Sequence, residues 1–274
     1  MRRLSLFFLL IFASFAFSQN NYSISKQITS INGLPSDYVY DIEFDKEGYA
    51  WIASSEGLFK YNGKTFKTYY PNDTIEDATV QRLIIDGEMI WFTSSMGQLY
   101  SFNKETGNLE SFKLSPKFIN SQRKVSYTFI YLDSKKQLWL GQKNMGVLVF
   151  DTKTKGQKIF NKGNCSWLPS NCVYDICEDD SDRFWLATRA GVLSISSLWN
   201  YSAEESHIPV QVSQKLSYFA KSVILDLAGY VWFGTRDHGL LRYNAITDEL
   251  VSYPLSSNNE LVNVSNVDNL YLDG

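Results

Sequence analysis

"YAWIASSEGLFKYNGKTFKTYY", residues 49–70, runs from a tryptophan in a short apolar stretch through small residues to a glycine, then into an alternating aromatic tail. Its front half recurs down the chain. "WIASSEGLF" at 51 returns as "WFTSSMGQLY" at 91, "WLGQKNMGVLVF" at 139, "WLATRAGVLSI" at 185 and "WFGTRDHGLLRY" at 232. Self-similarity at a fixed period decides a fold before any local reading does.

Each copy follows a segment of the form apolar-x-x-apolar-x-x-Asp: Val39, Ile42, Asp45; Val80, Leu83, Asp86; Tyr127, Ile130, Asp133; Val173, Ile176, Asp179; Ala220, Val223, Asp226; and Val267, Leu270, Asp273. The aspartates stand 41, 47, 46, 47 and 47 residues apart. Trp51, Trp91, Trp139, Trp185 and Trp232 lie five or six residues after the first five, and Gly57, Gly97, Gly146, Gly191 and Gly239 follow the tryptophans.

Turn chemistry says what one copy is. Asp-Lys-Glu-Gly at 45–48 and Asp-Leu-Ala-Gly at 226–229 suit tight turns between strands, so each aspartate reads as a turn residue bonding its own backbone. The second glycine marks another turn, into strands such as "LFKYN", "LVFDT" and "LLRYN" and then "TFKTYY" or "ELVSYP". The small residues Ala53, Thr93, Gly141, Ala187 and Gly234 occupy one repeat position, where they let a neighbouring sheet approach closely.

Such a four-stranded unit cannot stand alone. A buried tryptophan contributes about 4–6 kcal/mol, from roughly 150–250 Å² at about 25 cal/mol/Å². Ordering about 45 residues costs on the order of 45–90 kcal/mol of backbone entropy. Stacking each sheet between two others supplies the missing burial, and that is the logic of a β-propeller. The expected fold is all-β: an incomplete propeller of four-stranded antiparallel blades, five repeats plus the first strand of a sixth, an open arc of a larger, seven-bladed ring. The repeats fall at about 32–76, 77–121, 122–167, 168–213 and 214–259, with the sixth beginning over 260–274. "YSISKQI" at 22–28 has the place of an outermost strand that would close the ring. Repeat four carries "SSLWNYSAEESHIPVQ" where a third and fourth strand pair is expected, so that blade reads as irregular.

Residues Asn32 to Tyr69, "NGLPSDYVYDIEFDKEGYAWIASSEGLFKYNGKTFKTY", resemble the two-component regulator propeller repeat throughout. Its Gly-Leu-Pro-Ser opening stands at Gly33 to Ser36, with a weaker echo at Leu168 to Ser170. The resemblance extends over about residues 22–274. It implies a sensor of Bacteroidetes-type bacteria, in which periplasmic propellers precede an immunoglobulin-like domain, a membrane helix and a histidine kinase or DNA-binding output. It also implies response to an oligosaccharide or other small ligand, and makes this chain the N-terminal piece of such a sensor.

The start of the chain fits export. Arg2 and Arg3 precede an apolar run from Leu4 to Phe17, with Ala16 and Ser18 at cleavage-site spacing, so residues 1–18 read as a signal peptide and 19–274 as the propeller. The expected location is the periplasm, with the full-length protein anchored in the inner membrane through segments beyond residue 274. Without the leader, 24 basic side chains face 29 acidic ones, which excludes a general attraction for nucleic acid or an anionic membrane. Three cysteines are an odd count for an exported chain; Cys165 and Cys172 bracket a short loop as a possible disulfide, and Cys177 reads as buried.

The sequence offers no catalytic motif. His207 and His238 are the only histidines and neither has ligand spacing, so no metal, cofactor or catalytic residue is expected, and histidine kinase activity would lie beyond residue 274. The variable turns between second and third strands gather on one face of a propeller, so Lys143, Arg189, Arg236 and His238 are candidates for a cationic rim facing an acidic ligand. Trp167 and Trp199 lie outside the repeat register, as sugar-stacking platforms or as loop anchors. The leading function is a ligand-sensing ectodomain, with downstream domains of its own full-length protein as partners and a homodimer in that longer form. The alternatives are a secreted propeller that binds another protein, and a propeller enzyme.

Overall fold

The computed structural model describes residues 28–69, 79–118, 124–196, 210–211, 216–253 and 266–271. The leader, nearly all of the 22–28 strand, Trp199, His207 and Asp273 lie outside the described residues.

Five four-stranded antiparallel sheets follow one another, each meandering in chain order. Blade 1 comprises β1 (Val39–Phe44), β2 (Ala50–Ser54), β3 (Gly57–Tyr61) and β4 (Phe66–Thr68). Blade 2 holds β5 (Val80–Asp86), β6 (Met89–Ser94), β7 (Gln98–Asn103) and β8 (Leu109–Lys113). Blade 3 holds β9 (Tyr127–Leu132), β10 (Gln137–Gln142), β11 (Gly146–Asp151) and β12 (Gln157–Phe160). Blade 4 holds β13 (Val173–Glu178), β14 (Arg183–Thr188), β15 (Gly191–Ser196) and β16 (Val210–Gln211), and blade 5 holds β17 (Ala220–Leu225), β18 (Val231–Thr235), β19 (Leu240–Asn244) and β20 (Glu249–Tyr253). No α-helix occurs among the described residues.

Blade 4 is more regular than its sequence implies. "GVLSIS" pairs along all of β14, and the insertion is followed by a two-residue fourth strand that closes the sheet on β15. A long connection costs little once the sheet it interrupts is packed, because loop-closure entropy grows slowly with length.

The turns form as the sequence predicts. Gly48 and Gly229 close the first hairpins of blades 1 and 5, donating to the carbonyls of Asp45 and Asp226 at 2.9 and 3.0 Å. At Gly146 and Gly191 no other residue fits. Their φ angles are +89° and +128°, and an added Cβ would lie 2.1 Å from the Phe160 carbonyl and 2.7 Å from that of Leu216.

Four of the repeat tryptophans face the following blade. Trp51 lies 6.3 Å from Phe102, Trp91 6.1 Å from Phe150, Trp139 4.5 Å from Phe184 and Trp185 5.7 Å from Tyr243, ring centre to ring centre. Trp232 meets only Tyr253 of its own blade among the recorded ring pairs and is half-buried.

The arc is open. Val80, Tyr127, Val173 and Ala220 are at most 3% exposed, whereas Val39, at the same repeat position in blade 1, is 37% exposed. Ile42 is 44% exposed where Leu83, Ile176 and Val223 are at most 4%. The residues expected to begin a sixth blade, 266–271, make no strand ladder among the described residues. They run beside blade 5, with the Val267 N–H donating to the Thr235 carbonyl at 2.8 Å and Asp268 paired with Lys221. A Cβ on Gly234 would meet the Ser222 hydroxyl of its own blade at 2.3 Å and Val267 at 2.8 Å, so the small residue there admits both. At Gly141 the space is taken by Phe129 of the same blade, whose ring a Cβ would meet at 2.2 Å.

Candidate functional site

The site begins with a kink shared by all five blades. The ladder between each innermost strand and its neighbour slips by one residue, at Tyr40, Gln81, Thr128, Tyr174 and Lys221. A bulge of this kind re-aims the side chains beside it. In blade 1 and blade 4 the residue after the bulge is an aspartate in the sequence Val-Tyr-Asp-Ile. Asp41 Oδ2 accepts the backbone N–H of Leu83 at 3.1 Å, and Asp175 Oδ2 accepts that of Val223 at 2.9 Å, each from the following blade. Gln81 bridges blades 2 and 3 with both ends of its amide, donating to the Val125 carbonyl and accepting from the Tyr127 N–H. Thr128 donates to the Val173 carbonyl at 2.7 Å.

These strands surround a cavity of about 350 Å³ at the centre of the arc. Asp41, Glu43, Arg82, Thr128, Asp175 and Lys221 line it, with Tyr40, Tyr174, Asn269 and Tyr271 at its wall. Burial raises the Asp41 carboxyl, opposed by the Arg82 guanidinium and two backbone N–H groups. Burial, and then the neighbouring charge of Asp41, pushes Glu43 up to about 7. Burial also pushes Asp175 up to about 7, against the Val223 and Ile176 N–H groups and Arg82. Arg82 Nη1 donates to the Tyr40 carbonyl at 2.9 Å, while its buried Nε has no protein partner.

Three of the four predicted rim residues come together beside this mouth. The Arg236 guanidinium stands over the Phe219 ring at 5.5 Å, Phe219 lies 5.3 Å from Tyr174, and His238 lies 4.6 Å from Tyr218. Tyr174 therefore belongs to both channel wall and rim. Its phenol is raised, chiefly by burial and by Cys172, with Arg189 and Arg236 pulling the other way. Lys143 is exposed in the blade 3 turn, next to Asn144, whose side chain accepts from the Cys172 thiol.

Other expectations resolve differently. Trp167 packs against Phe160 at 5.7 Å, at the edge of the core between blades 3 and 4, and is a loop anchor. Cys165 and Cys172 are both free thiols in the structure, not a disulfide: Cys165 is buried among Phe160, Leu168 and Val173, while Cys172 faces Asn144. Cys177 is buried as expected.

The repeat aspartates bond the backbone of their turns: Asp45, Asp133, Asp179 and Asp226 each accept the N–H four residues on. Their second oxygen accepts the indole N–H of Trp51, Trp139, Trp185 and Trp232, at 2.7 to 2.9 Å, which the sequence reading did not anticipate. Asp86, five residues before its tryptophan instead of six, pairs with Lys136 at 2.6 Å.

Architecture and repeat together define a β-propeller of Asp–Trp hairpins around a polar channel. Residues 33–56 and 168–190 match the family described as two component regulator propeller, and these are the two copies that carry Val-Tyr-Asp-Ile. The second copy was the weaker echo by sequence, yet its Ser170 accepts the N–H of Cys172 just as Ser36 accepts that of Tyr38.

The chain is similar to Histidine kinase P4 of Formosa agariphila, 40% identical over 82 residues, or 29% of this chain and 6% of that protein. Its fold resembles the extracellular domain of a putative hybrid two component system from B. thetaiotaomicron, with TM-score 0.65 and 23% identity over 84% of this chain and 32% of the other. It also resembles virginiamycin B lyase from Staphylococcus aureus, with TM-score 0.61 and 15% identity, covering 82% of this chain and 73% of the lyase. The chain thus spans a small part of the kinase and about a third of the first extracellular domain.

Proposed function

We propose that this chain is the non-catalytic, ligand-binding propeller of an exported sensor in a two-component regulatory protein, and that it binds an oligosaccharide at the channel mouth. The observation that carries the reading is the convergence there of hydrogen-bonding side chains from successive inner strands, together with Tyr40 and Tyr174 in the lining. Hydroxyl-rich rings need such paired donors and acceptors together with flat apolar surfaces. The propeller match and the identity with a segment of a histidine kinase support the regulatory setting. The lyase likeness extends to the fold alone.

Signalling in this reading is a shift in population. A ligand bridging inner strands of different blades favours one packing of the arc on its neighbouring domains, and so biases a distant output. Periplasmic location, anchoring beyond residue 274 and dimerisation of the longer protein belong to the same proposal. Calorimetry with a panel of neutral and charged oligosaccharides tests it. Saturable binding that is lost in Tyr40→Ala is expected. Absence of binding across the panel, with signalling by the longer protein unchanged when the propeller is deleted, overturns it.

A further inference from the structure

Charge is divided along the surface that Tyr174 joins. Inside the channel Asp41 and Asp175 feel the guanidinium of Arg82, Glu43 stands beside Asp41, and Lys221 is already paired with Asp268. Outside, on the turns of blades 4 and 5, Arg189 and Arg236 are exposed cations. Among the described residues, the carboxylate paired with either of them is Asp237, 4.0 Å from Arg236 and itself 67% exposed, a pairing that water screens heavily. Between the two regions lie the rings of Tyr174 and Phe219, with Arg236 held over the latter.

Resting on the saccharide reading above, we propose that the ligand is acidic and enters in one orientation. Its carboxylate or sulfate spans Arg189 and Arg236 on the rim, its ring lies on Tyr174 and Phe219, and its uncharged hydroxyls point into the channel. Guanidinium groups match planar or tetrahedral oxyanions with paired N–H donors, and a stacked guanidinium is already held for that contact. Above about pH 7, where Glu43 and Asp175 are ionised, the channel carboxylates repel the same anion, so the two regions together reject the reversed pose.

A glycan array of neutral, uronate-bearing and sulfated oligosaccharides, probed with the full chain and with its Arg189→Gln/Arg236→Gln variant, tests this. Both arginines are exposed, and matching thermal unfolding of the two proteins confirms that the variant folds. Binding is expected on acidic glycans, falling at least tenfold in the variant and in 0.5 M NaCl; preference between uronate and sulfate glycans identifies the acidic group. Equal binding of neutral glycans, or acidic binding untouched by the variant, overturns the acidic class while leaving the saccharide reading in place. Failure to bind any glycan overturns both.

Discussion

The Oδ2 atom of Asp133 accepts the indole N–H of Trp139 at 2.9 Å, with the indole 1% exposed and the carboxylate 3% exposed. Oδ1 of the same carboxylate accepts the N–H groups of Lys135 and Gln137. One side chain thus shapes a turn and satisfies the only polar atom of the residue that seals the next blade interface. Asp133→Asn places an N–H₂ against one of these donors. The expected loss is about 1–3 kcal/mol, read by urea unfolding. Asp86→Asn, at the repeat position where no indole is bonded, is expected to stay within about 0.5 kcal/mol, as for surface changes in general. Equal losses at the two positions would refute the role given to the indole bond.

Gly191→Ala is expected to cost at least about 2 kcal/mol, combining left-handed backbone strain with the 2.7 Å approach to the Leu216 carbonyl. Gly48→Ala, with φ of +82° but open space around it, should cost about 1 kcal/mol. Thermal denaturation of the two variants ranks them; the reverse order would contradict the packing described.

Two sets of carboxylates give stability opposite slopes in pH. At Asp45, Asp179 and Asp226 burial raises the carboxyl, but the indole and backbone N–H groups outweigh it and the net shift is downward. Their contribution is present above the unfolded value, about 3.9, and is lost as pH falls through the lower folded value. Glu43 and Asp175, at about 7 in the folded chain, take up protons on folding between about pH 4 and 7, so their effect on stability improves as pH falls through 7. Denaturant titrations should therefore show stability rising from pH 8 to 5 and collapsing below 4. Asp175→Asn should flatten the upper limb only. A curve that climbs steadily from pH 5 to 8 would count against the channel assignment.

Gln81→Met removes a donor to the Val125 carbonyl and an acceptor from the Tyr127 N–H while keeping volume. A loss of about 1–3 kcal/mol is expected, with faster amide exchange at Tyr127. Unchanged exchange there would show that the amide does not bridge the blades.

Most of the fold is legible in the sequence because a propeller repeats its local chemistry. The Asp-x-x-Gly turn, the tryptophan and the second glycine state each hairpin within about twenty residues of chain, and short-range turns need no knowledge of the rest of the molecule. The indole bond of Asp133 was hidden because Asp and Trp are each explained without it, one by its turn and the other by burial. Their constant spacing of six, broken at Asp86 and Trp91, was the available signal.

The channel is harder to read. Asp41, Arg82, Asp175 and Lys221 are separated by tens of residues, and alternation alone places side chains on faces without revealing the bulge that turns them inward. The rim was visible as charge, through Arg189, Arg236 and His238. Its aromatic half, Tyr174, Tyr218 and Phe219, lies on strands and connections that read as core.

Because the indoles of Trp51, Trp91, Trp139 and Trp185 are each covered by the blade after them, dependence along this part of the molecule runs in one direction. Disturbing blade 3 wets Trp91 but leaves Trp139 to its own successor, so damage is reported one step upstream of where it occurs. Single-tryptophan versions of the chain would turn that asymmetry into an optical map, each red-shifted emission naming the interface that has opened.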